Sequence, residues 1–404
     1  MTEARRWGEP AGAWPVLAAC VLTIVLVAGA RSSFAAFLLP IEAELGLDRA
    51  TLSTAGTLTQ LGYGLSLPIV GRLATRFGAK RVMMISVAVM TIGGFGVSAA
   101  TQAWQILLFA GVLPGMGFGG ATVVPATVLL SRWFGRRLGL ATGVMTSALP
   151  AGQSLFVPLA TALIPVWGWR STYVLLGLVL ALVALPALGW LAAEPPHAAT
   201  AASRSTSARP ARAGLDVWLL AAGYFACGFT DQFVTLHLVA LGVEAGVEPI
   251  VAAGFFSLLM ALGIAGSVLS GRLSDTWSPR TLLSSLYLAR AASLPLLLVV
   301  GPGPRLILLA LFALVFGPTY IGNQAAGTRL IRDRYGVQAV GPLIGNTGLC
   351  HQIGGAAGIA LGGLSVAYAG SYGPAVVAAA LVALVGGLLQ QLIPARAASS
   401  PAPA

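Results

Sequence analysis

Long apolar runs recur along the whole chain, and each is long enough to cross a lipid bilayer as a helix. About 20 apolar residues span the hydrocarbon core, where the backbone hides its polar groups only in helices or closed barrels. Only 9% of the 404 residues are charged, against roughly 25% in a soluble domain. We therefore predict an all-α polytopic membrane protein with twelve transmembrane helices, at residues 14–40, 50–72, 80–100, 104–131, 138–164, 171–193, 217–241, 249–271, 281–302, 305–329, 339–367 and 372–394.

Lysine and arginine are unevenly divided between the two sides of this predicted topology. With both termini cytoplasmic, 18 of the 23 basic residues lie on the cytoplasmic side, and the opposite loops hold only Arg49, Arg170 and Arg305. This asymmetry follows the positive-inside rule and predicts a multi-pass protein of the cell (inner) membrane. The net charge of +11 is then a topology signal. Because the basic residues form short clusters at helix ends, we expect no nucleic-acid partner.

The chain divides into two similar halves. The segment "GRLATRFGAKR" begins at Gly71 and "GRLSDTWSPR" begins at Gly271, an offset of 200 residues. A stretch rich in Ala, Ser, Pro and Arg separates the halves and predicts a flexible linker. The predicted units are a cytoplasmic N-terminus (1–13), a six-helix bundle (14–193), a cytoplasmic linker (194–215), a second six-helix bundle (216–394) and a cytoplasmic tail (395–404). Two homologous bundles are a transporter architecture.

The repeated loop resembles the signature of the major facilitator superfamily, and the resemblance covers nearly the whole chain. It implies two pseudo-symmetric six-helix bundles, with the loops latching the outward-facing state. The predicted latch residues are Gly71, Arg72, Gly271, Arg272 and Asp275. We expect the two glycines to permit close helix packing. Thr75 stands where the superfamily usually has Asp, so the latch of the first half departs from the pattern.

Within the superfamily, several stretches resemble the monocarboxylate-porter and oxalate/formate-antiporter branch. They are residues 30–53, 131–144, 168–177 and 227–247, together with the Gly-rich helix 11 that runs to 369–374. The monocarboxylate porters typically carry an Asp/Arg pair in helix 8. Here residues 249–271 contain no charged side chain, so their proton-coupling scheme does not carry over.

Arg31 is a permanent charge inside the first apolar run. One interpretation is that it snorkels to the outer face. The other is an anchor for an organic anion, because a guanidinium binds a carboxylate bidentately, and monocarboxylate porters carry a basic residue at a similar point. At an offset of 200 residues, Asp231 on helix 7 is the pseudo-symmetric counterpart. The two are predicted to pair across the cavity, either as a static salt bridge or as a transport site with Asp231 carrying the coupling proton.

The superfamily plan places helices 1, 4, 7 and 10 around a central cavity, with helices 2, 5, 8 and 11 along its sides. Polar residues on these helices are weaker candidates for substrate binding, since such side chains often bond only to a neighbouring helix. Arg290, on a scaffold helix, is expected to have a structural partner or to snorkel, without contacting substrate. The candidates besides Arg31 and Asp231 are Gln60, Tyr63, Gln153, His237, Tyr320, Asn323, Gln324, His351 and Gln352.

The predicted function is secondary active transport by alternating access. The first hypothesis is transport of a small organic anion, of the monocarboxylate type, in symport with protons. The alternative is efflux of a drug or metabolite by proton antiport, and a ligand-sensing transceptor is the third. No phosphate-binding loop, nucleophile–base set or metal-ligand spacing is present in the sequence. We therefore predict neither an enzyme nor a cofactor or metal site, and we expect a monomer.

Overall fold

Every regular element in the described part of the chain is a helix. The computed structural model describes Pro10 and residues 12–135, 137–192 and 214–394. Residues 194–213 of the predicted linker, the predicted tail and most of the predicted N-terminal segment lie outside these residues, as does the side chain of Asp275. The twelve helices are α1 (Ala13–Leu45), α2 (Arg49–Phe77), α3 (Ala79–Ser98), α4 (Ala103–Ser131), α5 (138–167), α6 (169–191), α7 (Leu215–Glu244), α8 (Pro249–Thr276), α9 (Pro279–Leu298), α10 (Gly303–Tyr335), α11 (Val337–Ala369) and α12 (Gly373–Gln391).

Ten helical stretches of the described chain are long and apolar enough to cross a membrane. One of them, Leu138–Leu191, holds two helices, because Gly168 interrupts it with a φ of 77°. Such a φ favours glycine, which has no Cβ to clash. The 29-residue helix α2 is not among the ten but runs beside them. The prediction of twelve helices is thus confirmed, including the break between the fifth and the sixth.

The helices pack as two six-helix halves. In the first half α1 packs on α5 and α3 on α4, and in the second half α7 packs on α11 and α9 on α12. Two main seams join the halves, one between α2 and α11 and the other between α5 and α8, and the last part of α1 also contacts α7. We call the face with Ala13, Leu215 and Gln391 the terminal face and the other the far face.

Contacts between the halves lie at the middle of the helices and toward the far face. Thr57 of α2 approaches Ala356 of α11, and Ser154 of α5 bonds reciprocally with Ser257 of α8. Toward the terminal face, Leu140 of α5 and Val268 of α8 lie on the same helix faces as Ser154 and Ser257, and they are 55% and 57% exposed. The described structure is therefore closed at the far face and open at the terminal face.

This opening explains the state of the predicted latch. A Cβ on Gly271 would meet nothing within 4 Å, and one on Gly71 would make only ordinary contact with Val124 at 3.7 Å. Arg72 and Arg272 are exposed. The prediction of close helix packing at the two glycines is wrong for this structure, because the terminal face on which they lie is open.

A charged cluster closes the far face. Arg49, at the start of α2, is 2% exposed and pairs with Glu42 at the end of α1 and with Glu244 at the end of α7, at 2.5 and 2.9 Å. It also donates to the hydroxyl of Tyr372, which lies 3.1 Å from Nδ1 of His237. Because Glu42 belongs to the first half and Glu244 to the second, Arg49 binds both halves together.

Replacing Glu244 by Gln is expected to loosen the far face. The Arg49–Glu244 pair joins the halves, and a partly exposed ion pair is worth up to about 1 kcal/mol, or roughly fivefold in the open population. A membrane-impermeant maleimide should therefore label a Ser53→Cys reporter up to about fivefold faster, since Ser53 is buried against Gly363 in the α2–α11 seam. Glu248→Gln, at an exposed acid on the same face, is the matched control. Equal labelling rates in both variants would contradict a gating role for Glu244.

Candidate functional site

Arg31 lies just past the middle of α1, at a break in that helix. The segments Ala13–Ser32 and Phe34–Leu45 meet at Ser33, whose hydroxyl donates to the carbonyls of Gly29 and Phe156 at 2.9 and 3.2 Å. The bond to Phe156 fixes the break against α5. Arg31 therefore lies two residues from a point at which α1 is hydrogen-bonded to α5.

The Arg31 guanidinium remains in the protein interior and does not snorkel. Its Nη2 donates to Oε1 of Gln60, and its Cζ lies 4.5 Å from the ring centroid of Phe118, in cation–π geometry. Nε is buried without a hydrogen-bond partner. Within the described residues no carboxylate pairs with Arg31. A buried cation with an unused donor is suited to an incoming anion.

A cavity of about 70 Å³ adjoins Arg31. Its walls come from both halves, and most of the side chains are apolar or aromatic. Besides Arg31, the side chains with polar groups are Ser32 of α1, Thr59 of α2, Tyr173 of α6, and Gln232 and Thr235 of α7. A ligand bound to Arg31 is thus placed where the two halves meet, which is where an alternating-access transporter binds its substrate.

Asp231 does not pair with Arg31, so that prediction is wrong for this structure. Its Oδ1 instead accepts from Nη1 of Arg290 on α9, at 2.7 Å. Both side chains are buried, at 4% and 0% exposure. The offset of 200 residues makes Arg31 and Asp231 equivalent within the two halves, but equivalence does not place them in contact. Asp231 pairs with the cation of its own half.

Arg290 is satisfied on every side. Its Nε donates to the hydroxyl of Thr319 at 2.9 Å, and Nη2 donates to the carbonyl of Thr319 at 2.5 Å. Nη1 also contacts the hydroxyl of Thr230 at 3.1 Å. A buried ion pair needs such additional hydrogen bonds to offset its loss of water. The expectation of a structural partner for Arg290 is confirmed.

Cys227, Asp231 and His351 bring three potential metal ligands within 4.8 Å of one another. The Cys227 thiol lies 3.1 Å from Oδ2 of Asp231, and Nε2 of His351 lies 3.5 Å from the same oxygen. Arg290 lies 3.3 Å from the sulfur as well. The Arg290 guanidinium contacts two of these three potential ligands, Cys227 and Asp231, and its positive charge repels a metal cation. The group is therefore better described as a polar network around an ion pair.

The structure gathers some of the predicted residues and separates others. Tyr320 donates to Gln153 and lies near Thr235, each at 3.3 Å, which joins α5, α7 and α10. Asn323 donates to the Cys227 sulfur at 3.3 Å. Tyr63 packs edge-on against Phe118, beneath Arg31, and Gln324 is exposed.

His237 lies in the cluster that closes the far face. It is fully buried, and its two ring nitrogens face the Tyr372 hydroxyl at 3.1 Å and the Ile359 carbonyl at 3.0 Å. Both nitrogens are therefore occupied in closing the far face. The prediction that His237 contacts substrate has no support in this geometry.

Sequence reasoning missed three parts of this arrangement. Phe118 lies in a Gly-rich run that gave no sign of a cation site, and Arg49 stands among ordinary loop charges. The pairing of Asp231 with Arg290 had a usable signal, since they are the two charges inside apolar runs of the second half. Buried charges are costly unless paired, so these two side chains are expected to form an ion pair.

Twelve helices in two matched halves, with a buried cation where they meet, define a membrane transporter. The Major Facilitator Superfamily model matches residues 20–358, and the chain belongs to that superfamily. A relative in Bacillus subtilis (strain 168), the uncharacterized MFS-type transporter YcxA, is 30% identical over 88% of this chain and 89% of its own. Monocarboxylate transporter 13 of Rattus norvegicus is 26% identical over 94% of this chain and 87% of its own.

The fold also resembles solved transporters. The crystal structure of a point mutant of the nucleoside transporter NupG superposes with a TM-score of 0.78, at 13% identity, over 94% of this chain and 99% of that one. This likeness concerns the fold alone. The predictions of a major facilitator fold, of a transporter and of a protein that is not an enzyme agree with the superfamily match and with the two relatives named above.

Proposed function

We propose that this transporter carries a small organic anion, of the monocarboxylate type, by alternating access and in symport with protons. One observation carries the proposal: Arg31 is a buried cation at the meeting of the halves, and no described carboxylate neutralises it. A permanent charge in such a place is costly, and an anionic substrate would offset the cost. The name of the rat relative, a monocarboxylate transporter, supports the same class.

The alternative of cation efflux by proton antiport has less support. It requires a free acid to recognise the cation, and Asp231 is the candidate that the sequence offers. Asp231 is 3% exposed and already bonded to Arg290. The described interior thus presents an unmatched positive charge rather than an unmatched negative one.

Asp231 is the proposed site of the coupling proton. It is faced by Arg290 from α9, by Cys227 from its own helix, by His351 from α11 and by Tyr320 from α10. Among these groups, the side chain of His351 is 21% exposed. A proton reaching Asp231 would weaken its bond to Arg290, and so alter the packing of α7 against α9.

The orientation completes the proposal. With the termini in the cytoplasm, as the charge distribution predicts, the open terminal face is the cytoplasmic one. The structure is then inward-facing, with Arg49 closing the outer face and with Arg72 and Arg272 disengaged. We propose that the loops carrying these two arginines close the inner face in the opposite state of a monomeric transporter.

Uptake into proteoliposomes tests this function. Radiolabelled pyruvate, lactate, benzoate and oxalate should be offered with and without an inward proton gradient, and protein-free liposomes are the control. We expect at least one carboxylate to accumulate, and the gradient to increase its accumulation severalfold. If no carboxylate accumulates while the lipophilic cation tetraphenylphosphonium is exported, the anion proposal is wrong.

A further inference from the structure

Two glutamines join the halves directly beside Arg31. Gln60 of α2 and Gln352 of α11 are 1% and 8% exposed, and a buried amide is costly unless it is hydrogen-bonded. Gln60 Nε2 donates to Gln352 Oε1, and Gln60 Oε1 accepts from Arg31 Nη2. A continuous chain of hydrogen bonds therefore runs from the cation of the first half to a side chain of the second.

The polarity of the amide makes this chain directional. A glutamine has an acceptor at one end and donors at the other. Because Gln352 Oε1 accepts from Gln60 Nε2, the carbonyl oxygen of Gln60 is turned toward Arg31. The reverse orientation would set an NH₂ group against a guanidinium, donor against donor. Arg31, which can only donate, thus fixes the orientation of Gln60, and Gln352 holds Gln60 in place from across the seam.

Glycines make room for the crossing on both helices. A Cβ on Gly64 of α2 would lie 2.8 Å from Gln352 Cβ, and a Cβ on Gly355 of α11 would lie 3.1 Å from Gln60 Nε2. Both distances are shorter than an ordinary van der Waals contact of a Cβ. The two backbones therefore approach at the level of the glutamines, and the seam is built to bring the amides together.

We propose that Gln60 and Gln352 are positioning residues rather than substrate contacts: together they hold the Arg31 guanidinium for its anion only while the α2–α11 seam is closed. The inference rests on the proposed role of Arg31. Opening of the far face would separate the seam, remove Gln352 from Gln60 and release the guanidinium. The affinity for the anion would then differ between the two facing states.

The neighbour of Gln352 on α11 connects this hydrogen-bond chain to the network around Asp231. His351 precedes Gln352 on α11, and its Nε2 lies 3.5 Å from Oδ2 of Asp231. One turn of α11 thus contacts the network around Asp231 and the amide that orients Arg31. A movement of this turn acts on both groups at once.

A double-mutant cycle tests the link. Wild type, Gln60→Leu, Gln352→Leu and the double variant are reconstituted, and KM and kcat are measured for pyruvate and for benzoate as probes. Each single change should raise KM roughly 2- to 10-fold, the effect of one hydrogen bond, with kcat changed less. The double variant should be no worse than Gln60→Leu, because Gln352 acts through Gln60.

Gln390→Leu is the matched control, since Gln390 is a fully buried glutamine of α12 that donates to the Leu219 carbonyl, away from the site. Its KM should equal that of wild type. Additive effects of the two substitutions on KM, or an unchanged KM in Gln352→Leu, would overturn the proposal.

Apparent melting temperatures of the same four proteins, without any added anion, provide a readout that is independent of the probe. The decreases in melting temperature caused by the two substitutions should be less than additive, because each substitution removes the same hydrogen bond. Additive losses would overturn the link even if transport were never measured. If wild type accumulates neither probe but the melting losses are coupled, the proposed anion function fails while the bond between the halves is supported.

Discussion

Arg31→Ala is expected to abolish carboxylate uptake while leaving the apparent melting temperature unchanged or raised. The guanidinium has Gln60 and the face of Phe118 as partners, and no described acid. Its removal therefore leaves no carboxylate unpaired, and the relief of a desolvated charge offsets the lost bond to Gln60. Truncating one member of a buried charge pair costs about 2–5 kcal/mol of binding. We expect kcat/KM for the transported carboxylate to fall by at least about 30-fold.

Arg31→Lys tests whether transport needs only the positive charge of Arg31 or also the planar shape of its guanidinium. A lysine keeps the positive charge but lacks the planar fork that holds a carboxylate through two parallel bonds. We expect uptake between those of wild type and Arg31→Ala. Arg305→Ala, at an exposed arginine near the far face, controls for the loss of a positive charge and should transport normally. Undiminished uptake by a well-folded Arg31→Ala protein would remove Arg31 from the site.

The fold was largely predictable because its determinants are local. Apolar runs of span length mark each helix, and the repeated "GRL" segments at Gly71 and Gly271 reveal the two halves. The break near residue 168 was visible as a gap between two runs and is made by the left-handed conformation of Gly168. Such features depend on a short stretch of chain and on the bilayer.

The partners of the buried charges were less predictable. The repeat paired Arg31 with Asp231 by symmetry, but side-chain contacts are set by packing between helices. Asp231 meets Arg290 because α7 and α9 belong to the same half, where Thr230 and Thr319 complete the shell of hydrogen bonds. The absence of charge from residues 249–271 was read correctly from the sequence, but it could not show that α7 and α9 carry an acid–base pair of their own.

Gln60 and Gln352 illustrate the same limit. Each was recognisable as a polar residue on a cavity helix, and their contact depends on the approach of α2 and α11 at Gly64 and Gly355. In the proposed transport cycle, that approach belongs to one of two conformations of the halves. A single sequence does not say which contacts belong to which conformation.

Arg290→Met is expected to be the most destabilising single substitution in this network, in contrast to Arg31→Ala. It leaves Asp231 buried and unpaired, which costs about 3–5 kcal/mol. The double variant Asp231→Leu/Arg290→Met removes both charges and should recover most of that stability, because a buried ion pair is often replaced by apolar residues at little cost. Arg329→Met is the control, since Arg329 and Asp333 form a pair that is 27% and 30% exposed, and its loss should cost less than about 1 kcal/mol.

The double variant also separates a structural ion pair from a proton site. If Asp231 carries the coupling proton, the refolded double variant should still exchange labelled for unlabelled carboxylate across the membrane, because Arg31 remains. It should no longer accumulate carboxylate in response to an inward proton gradient. Accumulation that still follows the gradient would show that the Asp231–Arg290 pair only stabilises the second half, and the coupling proton would then have to bind outside it. Opposite outcomes are therefore expected for the two buried arginines. Arg31 should be dispensable for folding and required for transport, whereas Arg290 should be required for folding unless Asp231 is removed with it.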